Sequence, residues 1–192
     1  MSEKDFFTQE LKVKNVHEHS WQYCVNLCKG KKVLHVGCSD WPLTDPKNSL
    51  HRELQQHCSI LHGVDDKDTD KMGKVLGGSY YKNLSDVKEG YDVIIVPNVL
   101  EHVSNAGIFM NTLLNIGFKE LFILVPNYSI SHEAKYLEDG TFIEKVHPDH
   151  VAWYSPYTLS NLVRRYWYST DIIEQTMFFD GTNMVGILIT RG

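Results

Sequence analysis

The hydrophobic positions of this chain form short uninterrupted runs, and the segments between them carry apolar residues at helical spacing. The clearest runs are Val33–Val36, broken only by His35, and Val93–Val96. Continuous apolar runs of this length are typical of parallel strands covered on both faces. Leu50 and Leu54 lie between the runs at the spacing of an amphipathic helix. The pattern therefore predicts strands alternating with helices.

The strand–helix alternation recurs about five times, which predicts an α/β fold built on a single Rossmann-like, doubly wound sheet. The sheet is expected to be mostly parallel, with helices on both faces. Two last runs, near 169–178 and 184–190, flank the turn-forming residues Asp180–Asn183 and predict a C-terminal antiparallel hairpin. Residues 1–192 are expected to form one domain. Within it, residues 1–30 are predicted to form an N-terminal helical cap and residues 127–153 a long loop or lid.

Composition narrows the classes of function. Of the 192 residues, 42% are apolar and 22% charged, which is typical of a globular domain. A net charge of −5 argues against nucleic-acid binding as the main activity. No apolar run reaches the length of a membrane span and no signal peptide is visible, so we expect a cytoplasmic protein without a membrane partner. None of the four cysteines forms a C-x-x-C pair, which favours reduced thiols.

Polar residues follow three of the predicted strands directly. Gly37 ends the first run and is followed by Ser39 and Asp40, Asp65 ends the second, and Asn98 follows Pro97 after Val96. Ligands of doubly wound sheets bind beyond the carboxyl ends of the strands, near the point where strand order reverses. These strand ends are therefore the predicted binding site.

Four segments resemble the class I S-adenosylmethionine-dependent methyltransferases of the small-molecule type. The resemblance is carried by residues 33–38, 63–65, 91–103 and 150–159. It implies S-adenosylmethionine as cofactor and methyl transfer to a small-molecule or glycan-like acceptor at oxygen or nitrogen. It also implies that Asp65 holds the ribose hydroxyls, because a carboxylate accepts hydrogen bonds from both.

The resemblance implies a set of cofactor-binding residues on the turns after the strands: Gly37, Cys38, Ser39, Asp40, Asp65, Asp66, Tyr81, Pro97 and Asn98. Two positions depart from the family pattern. Ser39 stands where many members have a second glycine, and Tyr81 stands where many have an acid near the adenine. We expect Asp40 to meet the cofactor ammonium and Tyr81, or its neighbour Tyr80, to stack on the adenine.

The candidate catalytic residues are His102, His150 and Tyr154. An oxygen nucleophile needs a general base, and histidine is the usual base near neutral pH. His147 and His150 form an H-x-x-H pair at the end of the predicted lid. The pair lacks the helical context and the third ligand of a known metal motif, so no metal site is predicted.

Two other functions remain open at this stage. The missing second glycine and Tyr81 are also compatible with a methyltransferase-like binding or scaffold domain without catalysis. A nicotinamide-dependent oxidoreductase would need a fuller glycine fingerprint. Binding of S-adenosylmethionine discriminates the methyltransferase from the scaffold domain. The sequence gives no information on the oligomeric state.

Overall fold

The computed structural model describes residues 10–40, 45–131, 133–166, 172–178 and 183–192. The strands of these residues are β1 Lys14–Val16, β2 Lys32–Val36, β3 Ile60–Val64, β4 Ser79–Tyr81, β5 Tyr91–Pro97, β6 Phe118–Pro126, β7 Glu133–Tyr136, β8 Phe142–Lys145, β9 Ile172–Phe178 and β10 Met184–Thr190. The helices are α1 Ser20–Cys28, α2 Leu50–His57, α3 Thr69–Leu76, α4 Ala106–Leu114, α5 Tyr128–Ser131 and α6 Pro156–Arg164. No helix of the described residues is long and apolar enough to cross a membrane.

Eight of the strands form one sheet, in the order β1-β9-β10-β6-β5-β2-β3-β4. β10 pairs antiparallel with both of its neighbours, and every other pairing in this sheet is parallel. The predicted mostly parallel sheet with a C-terminal antiparallel hairpin is confirmed. The hairpin turn at residues 180–182 lies outside the described residues.

Helices cover both faces of the sheet because successive strand residues point to opposite sides. Val33 packs with α1 and α2 in one buried cluster, which includes Cys24 and Leu54. Its neighbour Leu34 packs with α4 and α6 in the other cluster, which includes Met110. The doubly wound arrangement predicted from the sequence is therefore present.

Side chains of the loops define where several helices begin. Asn105 accepts a hydrogen bond from the Ile108 amide and starts α4. Ser155 and Thr158 form a reciprocal capping box at the start of α6. Between β2 and α2, Asp45 caps a three-residue 3-10 turn, and Ser49 then caps α2. The chain thus turns twice before it enters the first helix that follows β2.

Two predicted segments contain more strand than expected. Lys14–Val16 lies within the predicted helical cap but is an edge strand, parallel to β9, and helix follows only at Ser20–Cys28. The predicted long loop or lid at 127–153 contains α5 and a two-stranded hairpin of β7 and β8. None of these three strands shows an uninterrupted apolar run, because the residues of β7 and β8 are exposed and so are Lys14 and Asn15 of β1.

Candidate functional site

A cavity of about 710 Å³ opens at the carboxyl ends of β2, β3 and β5. β2 and β5 are neighbours in the sheet, although β3 and β4 lie between them in sequence. The chain therefore reverses its direction of winding between these two strands, and this is where doubly wound sheets bind ligands. The cavity has the volume of an ordinary small-molecule site.

The first turn of the cavity depends on the glycine after β2. Gly37 has a φ angle of +77°, a backbone conformation that residues with a side chain rarely adopt. Its amide donates a hydrogen bond to the Val64 carbonyl at 2.8 Å. A Cβ atom at this position would overlap the side chain of Val99. Both the backbone conformation and the contact with Val99 therefore require glycine at this turn.

Asp65 joins two turns of the cavity. Its Oδ2 accepts a hydrogen bond from the Ser39 amide at 3.0 Å, and its Oδ1 accepts one from the Lys67 amide at 2.9 Å. Each carboxylate oxygen has a second acceptor site. The half-buried carboxylate therefore stabilises the loops and retains acceptor capacity toward the cavity.

Two non-glycine residues of the rim have left-handed backbones. Asp40 has φ of +47° and Asn98 has φ of +52°. Asp and Asn tolerate this conformation better than most residues do. The Asn98 amide donates to the Leu124 carbonyl at 2.9 Å, which anchors the turn after β5. Such conformations cluster at ligand sites, where the surrounding structure holds them in place.

The structure divides the predicted cofactor residues into two groups. Five of them line the cavity: Gly37, Asp40, Asp65, Asp66 and Asn98. Cys38, Ser39, Tyr81 and Pro97 are absent from its lining. Cys38 is fully buried, and burial raises the pKa of its thiol. The Tyr81 hydroxyl donates to Glu89 at 2.8 Å, so this ring is turned toward β5 and its flanking loop. The roles given to these residues remain predictions.

Other residues complete the cavity wall. Asn83 and Leu84 follow β4, and Val99 and Phe109 come from the segment after β5. Ligands bind beyond the carboxyl ends of the strands, and beyond β4 these residues are Asn83 and Leu84. The sequence analysis instead named Tyr81, the last residue of β4 itself. Phe109 carries no local signal beyond its helical spacing, because only the packing of α4 brings it to the cavity.

The candidate histidines lie at one side of the cavity. His102 and His147 line it directly, together with Asp149. The His102 ring lies 4.7 Å from that of His150 and 5.4 Å from that of His147, measured between centroids. Burial and the two neighbouring rings lower the pKa of His150. The structure thus brings together two predicted catalytic residues and a third histidine.

The third candidate catalytic residue has a different environment. Tyr154 is 8% exposed, belongs to the core cluster beside α4 and α6, and is absent from the cavity lining. Its burial, and then the negative charge of Glu101, raise the pKa of its hydroxyl. Its placement resembles that of a packing residue, and its catalytic role remains a prediction.

The structure also reveals an acid next to His102. Glu101 is 2% exposed, and burial raises the pKa of its carboxyl to about 7. Neither carboxylate oxygen has a hydrogen-bond partner among the described residues. The Glu101 carbonyl accepts hydrogen bonds from the amides of Val151 and Ala152, at 2.9 and 3.2 Å. This acid therefore lies where the turn after β5 meets the segment that carries His147 and His150.

In sequence, neither a protein-family profile nor a curated protein matches the chain. Solved structures do match. A chain of the Pnkp1/Rnl/Hen1 RNA repair complex superposes with a TM-score of 0.63 at 15% identity, covering 89% of this chain. This chain spans 40% of the length of that protein.

Two further neighbours are methyltransferases solved with S-adenosylhomocysteine. The plantazolicin methyltransferase BpumL gives a TM-score of 0.60 at 12% identity, covering 90% of this chain and 81% of its own. The 1,6-didemethyltoxoflavin-N1-methyltransferase of Burkholderia thailandensis gives a TM-score of 0.59 at 8% identity. The match covers 89% of this chain and 77% of that enzyme. At these identities the likeness concerns the backbone. The chain has the fold of the class I S-adenosylmethionine-dependent methyltransferases.

Proposed function

We propose that this chain is an S-adenosylmethionine-dependent methyltransferase that acts on a small-molecule or glycan-like acceptor at oxygen or nitrogen. One observation carries the proposal. A cavity of about 710 Å³ at the switch point of the sheet is lined by Gly37, Asp65 and Asn98, which follow three different strands. The structural neighbours with this fold include methyltransferases solved with S-adenosylhomocysteine.

The residues of the cavity fit this cofactor. Gly37 lines the cavity with its backbone, and Val99 occupies the position that a Cβ atom would take, so no side chain stands between this backbone and a bound ligand. Asp65 offers carboxylate oxygens for a pair of hydroxyls. Asp40 and Asp66 also line the cavity and add negative charge, which suits the cationic ammonium and sulfonium groups. When bound, the cofactor supplies an electrophilic methyl group.

The protein then has to align the acceptor with the methyl group and to take up the proton that the acceptor loses. His102 lies on the cavity wall, and its Nδ1 is engaged by the Asp149 carbonyl at 3.2 Å. Since a carbonyl oxygen only accepts, Nδ1 carries the proton and Nε2 keeps its lone pair. In the proposed reaction this nitrogen is available to accept a proton from the acceptor.

Calorimetric titration with S-adenosylhomocysteine tests the proposal. We expect micromolar binding by the wild-type chain and at least a tenfold loss in Asp65→Ala, because the acceptor for the ribose is removed. Asp139→Ala is the matched control, since Asp139 also accepts a backbone amide but lies outside the cavity. If Asp65→Ala does not fold, Asp65→Asn retains one acceptor oxygen for the loops.

Absence of binding by the folded wild-type chain would contradict the proposal and favour a scaffold domain with this fold. That alternative rests on Ser39, which replaces the expected second glycine and whose amide is held by Asp65. If the cofactor binds, an acceptor screen follows. It includes RNA, because one structural neighbour belongs to an RNA repair complex and only the net charge argues against nucleic acid.

A further inference from the structure

Three histidines from two segments meet at the side of the cavity. His102 comes from the 3-10 turn after β5, and His147 and His150 come from the segment before α6. One ring nitrogen of each residue lies within 4.8 Å of those of the other two. We call these three residues the histidine cluster.

Backbone hydrogen bonds build the cluster. The His150 amide donates to the His147 carbonyl at 3.0 Å, which closes a turn that places both rings on one side. The amides of Val151 and Ala152 then donate to the Glu101 carbonyl, the residue before His102. The two segments are therefore joined directly beside the rings, so the cluster is held in place by the main chain.

Two of the rings have a nitrogen that is ready to bind an ion. The Nδ1–H of His102 donates to the Asp149 carbonyl at 3.2 Å, which leaves the lone pair on Nε2. An imidazole that ligates a metal usually donates its other nitrogen to such a carbonyl. The Nδ1 of His150 is buried and has no hydrogen-bond partner among the described residues. A bound cation would provide that partner.

The ring of His147 must change its hydrogen bonding before it can bind an ion. The Nδ1 of His147 accepts the Asp149 amide at 3.2 Å, so the proton of its neutral form lies on Nε2. Coordination through Nε2 requires that this proton leave and that the amide bond be released. His147 is exposed, so its ring is free of tight packing that would oppose this change. We expect it to be the weakest of the three ligands.

The spacing suits a transition metal. Ligand nitrogens bound to zinc at about 2.1 Å in a tetrahedron lie about 3.4 Å apart. An ion would therefore have to draw these nitrogens together by at most about 1.4 Å. Imidazole nitrogens select ions such as zinc, cobalt, nickel or iron over calcium and magnesium. Three protein ligands leave the fourth position open, as in catalytic zinc sites.

We propose that His102, His147 and His150 bind a divalent transition-metal ion whose open position faces the cavity. His102 and His147 line the cavity, so an ion held by them lies beside the proposed acceptor.

The ion also indicates the class of acceptor. This step rests on the proposed function. With the ion on Nε2 of His102, that nitrogen is a ligand and no longer the proton acceptor. A hydroxyl oxygen at the open position would instead lose its proton to solvent more easily, because the cation stabilises the alkoxide. The alkoxide lone pair then forms the C–O bond to the methyl group, while the C–S bond breaks and its electron pair remains on sulfur. The proposed acceptor atom is therefore a hydroxyl oxygen.

Cobalt titration of the metal-free chain of 192 residues tests the site without any turnover. Tetrahedral cobalt bound to imidazoles gives visible d–d absorbance that is much stronger than that of the hydrated ion. We expect saturation at one equivalent in the wild type and at least a tenfold weaker affinity in His102→Asn and His150→Asn. His57→Asn is the matched control, because His57 is a surface histidine of α2 outside the cluster. Circular dichroism establishes that each variant folds, and His147→Asn replaces any variant that does not.

Three results would overturn the metal site. The first two are no saturable absorbance in the wild type and absorbance unchanged in all the cluster variants. A near-ultraviolet thiolate-to-cobalt band would place the ion on cysteine and would overturn it as well. Separate titration with S-adenosylhomocysteine distinguishes the two proposals. Cobalt binding without cofactor binding supports the site and contradicts the methyltransferase, and the reverse result contradicts only the site.

Discussion

Two groups of histidines in this chain have the same chemistry and opposite surroundings. His35 of β2 and His51 of α2 stack inside the protein, with ring centroids 5.4 Å apart and an angle of 18° between the rings. Their Nδ1 atoms lie 3.3 Å apart, which allows one hydrogen bond in which one ring donates and the other accepts. In the histidine cluster, by contrast, His102 and His147 line the cavity.

The difference shows how burial decides the role of a histidine. His35 and His51 are 0% and 1% exposed, and burial lowers the pKa of both, to about 4 for His51. They are therefore neutral near pH 7, and they have no access to a ligand from solvent. In the histidine cluster, His147 is exposed and His150 is half-buried, so an ion from solvent can reach these side chains.

The largest expected effect concerns the buried pair at acid pH. The unfolded chain binds a proton at His51 below pH 6.5, whereas the folded chain does so only near pH 4. The folded state is therefore favoured above pH 6.5 and loses this contribution as the pH falls from 6.5 to 4. At about 1.4 kcal/mol per unit, the loss from His51 alone is about 3 kcal/mol. Urea unfolding at a series of pH values measures it.

Carboxyl groups also titrate in this range, so a variant isolates the histidine contribution. His51→Asn keeps a polar group near the position of Nδ1 and removes the titrating ring. We expect lower stability at pH 7.5, because the contacts with His35 and Tyr80 are lost, and a shallower fall on acidification. An unchanged acid dependence would mean that the pair does not control it.

The next effect concerns the histidine cluster. Zinc at 100 times its dissociation constant is expected to raise the free energy of unfolding of the wild type by about 2.7 kcal/mol, because the folded state alone presents the site. His102→Asn should lose most of this increase and His57→Asn none. Urea unfolding with and without zinc measures the shift, and a chelator should reverse it. Equal stabilisation of both variants would place zinc elsewhere.

The smallest effect separates a ligand from a structural residue. In metal-free buffer, His147→Asn should change the free energy of unfolding by less than about 0.5 kcal/mol, because the side chain is exposed and asparagine can still accept the Asp149 amide. The same variant should weaken cobalt binding. A loss of several kcal/mol without metal would show that His147 stabilises the loop instead, and the comparison with His35 and His51 would then fail.

Local sequence patterns were enough to predict the fold and some of the residues that line the cavity. Apolar runs end at Gly37, Asp65 and Asn98, and parallel strands bring their carboxyl ends to one edge of the sheet, so these residues were predicted together and do line one cavity. Tyr81 shows the limit of the method. It ends a strand as well, yet its ring turns away to bind Glu89, because the pleat and the neighbouring loop decide which side a residue faces.

The sequence by itself determined the alternation of strands and helices, the antiparallel last strand and the turns that form the cavity, since each follows from the order of nearby residues. Only the tertiary structure decided that His102 meets His147 and His150. His102 and Asp149, which bond to each other, are 47 residues apart, and β6 and the β7–β8 hairpin lie between them. The third ligand that the H-x-x-H pair lacks in sequence comes from another strand end. Long-range packing places it there, and no local pattern records that contact.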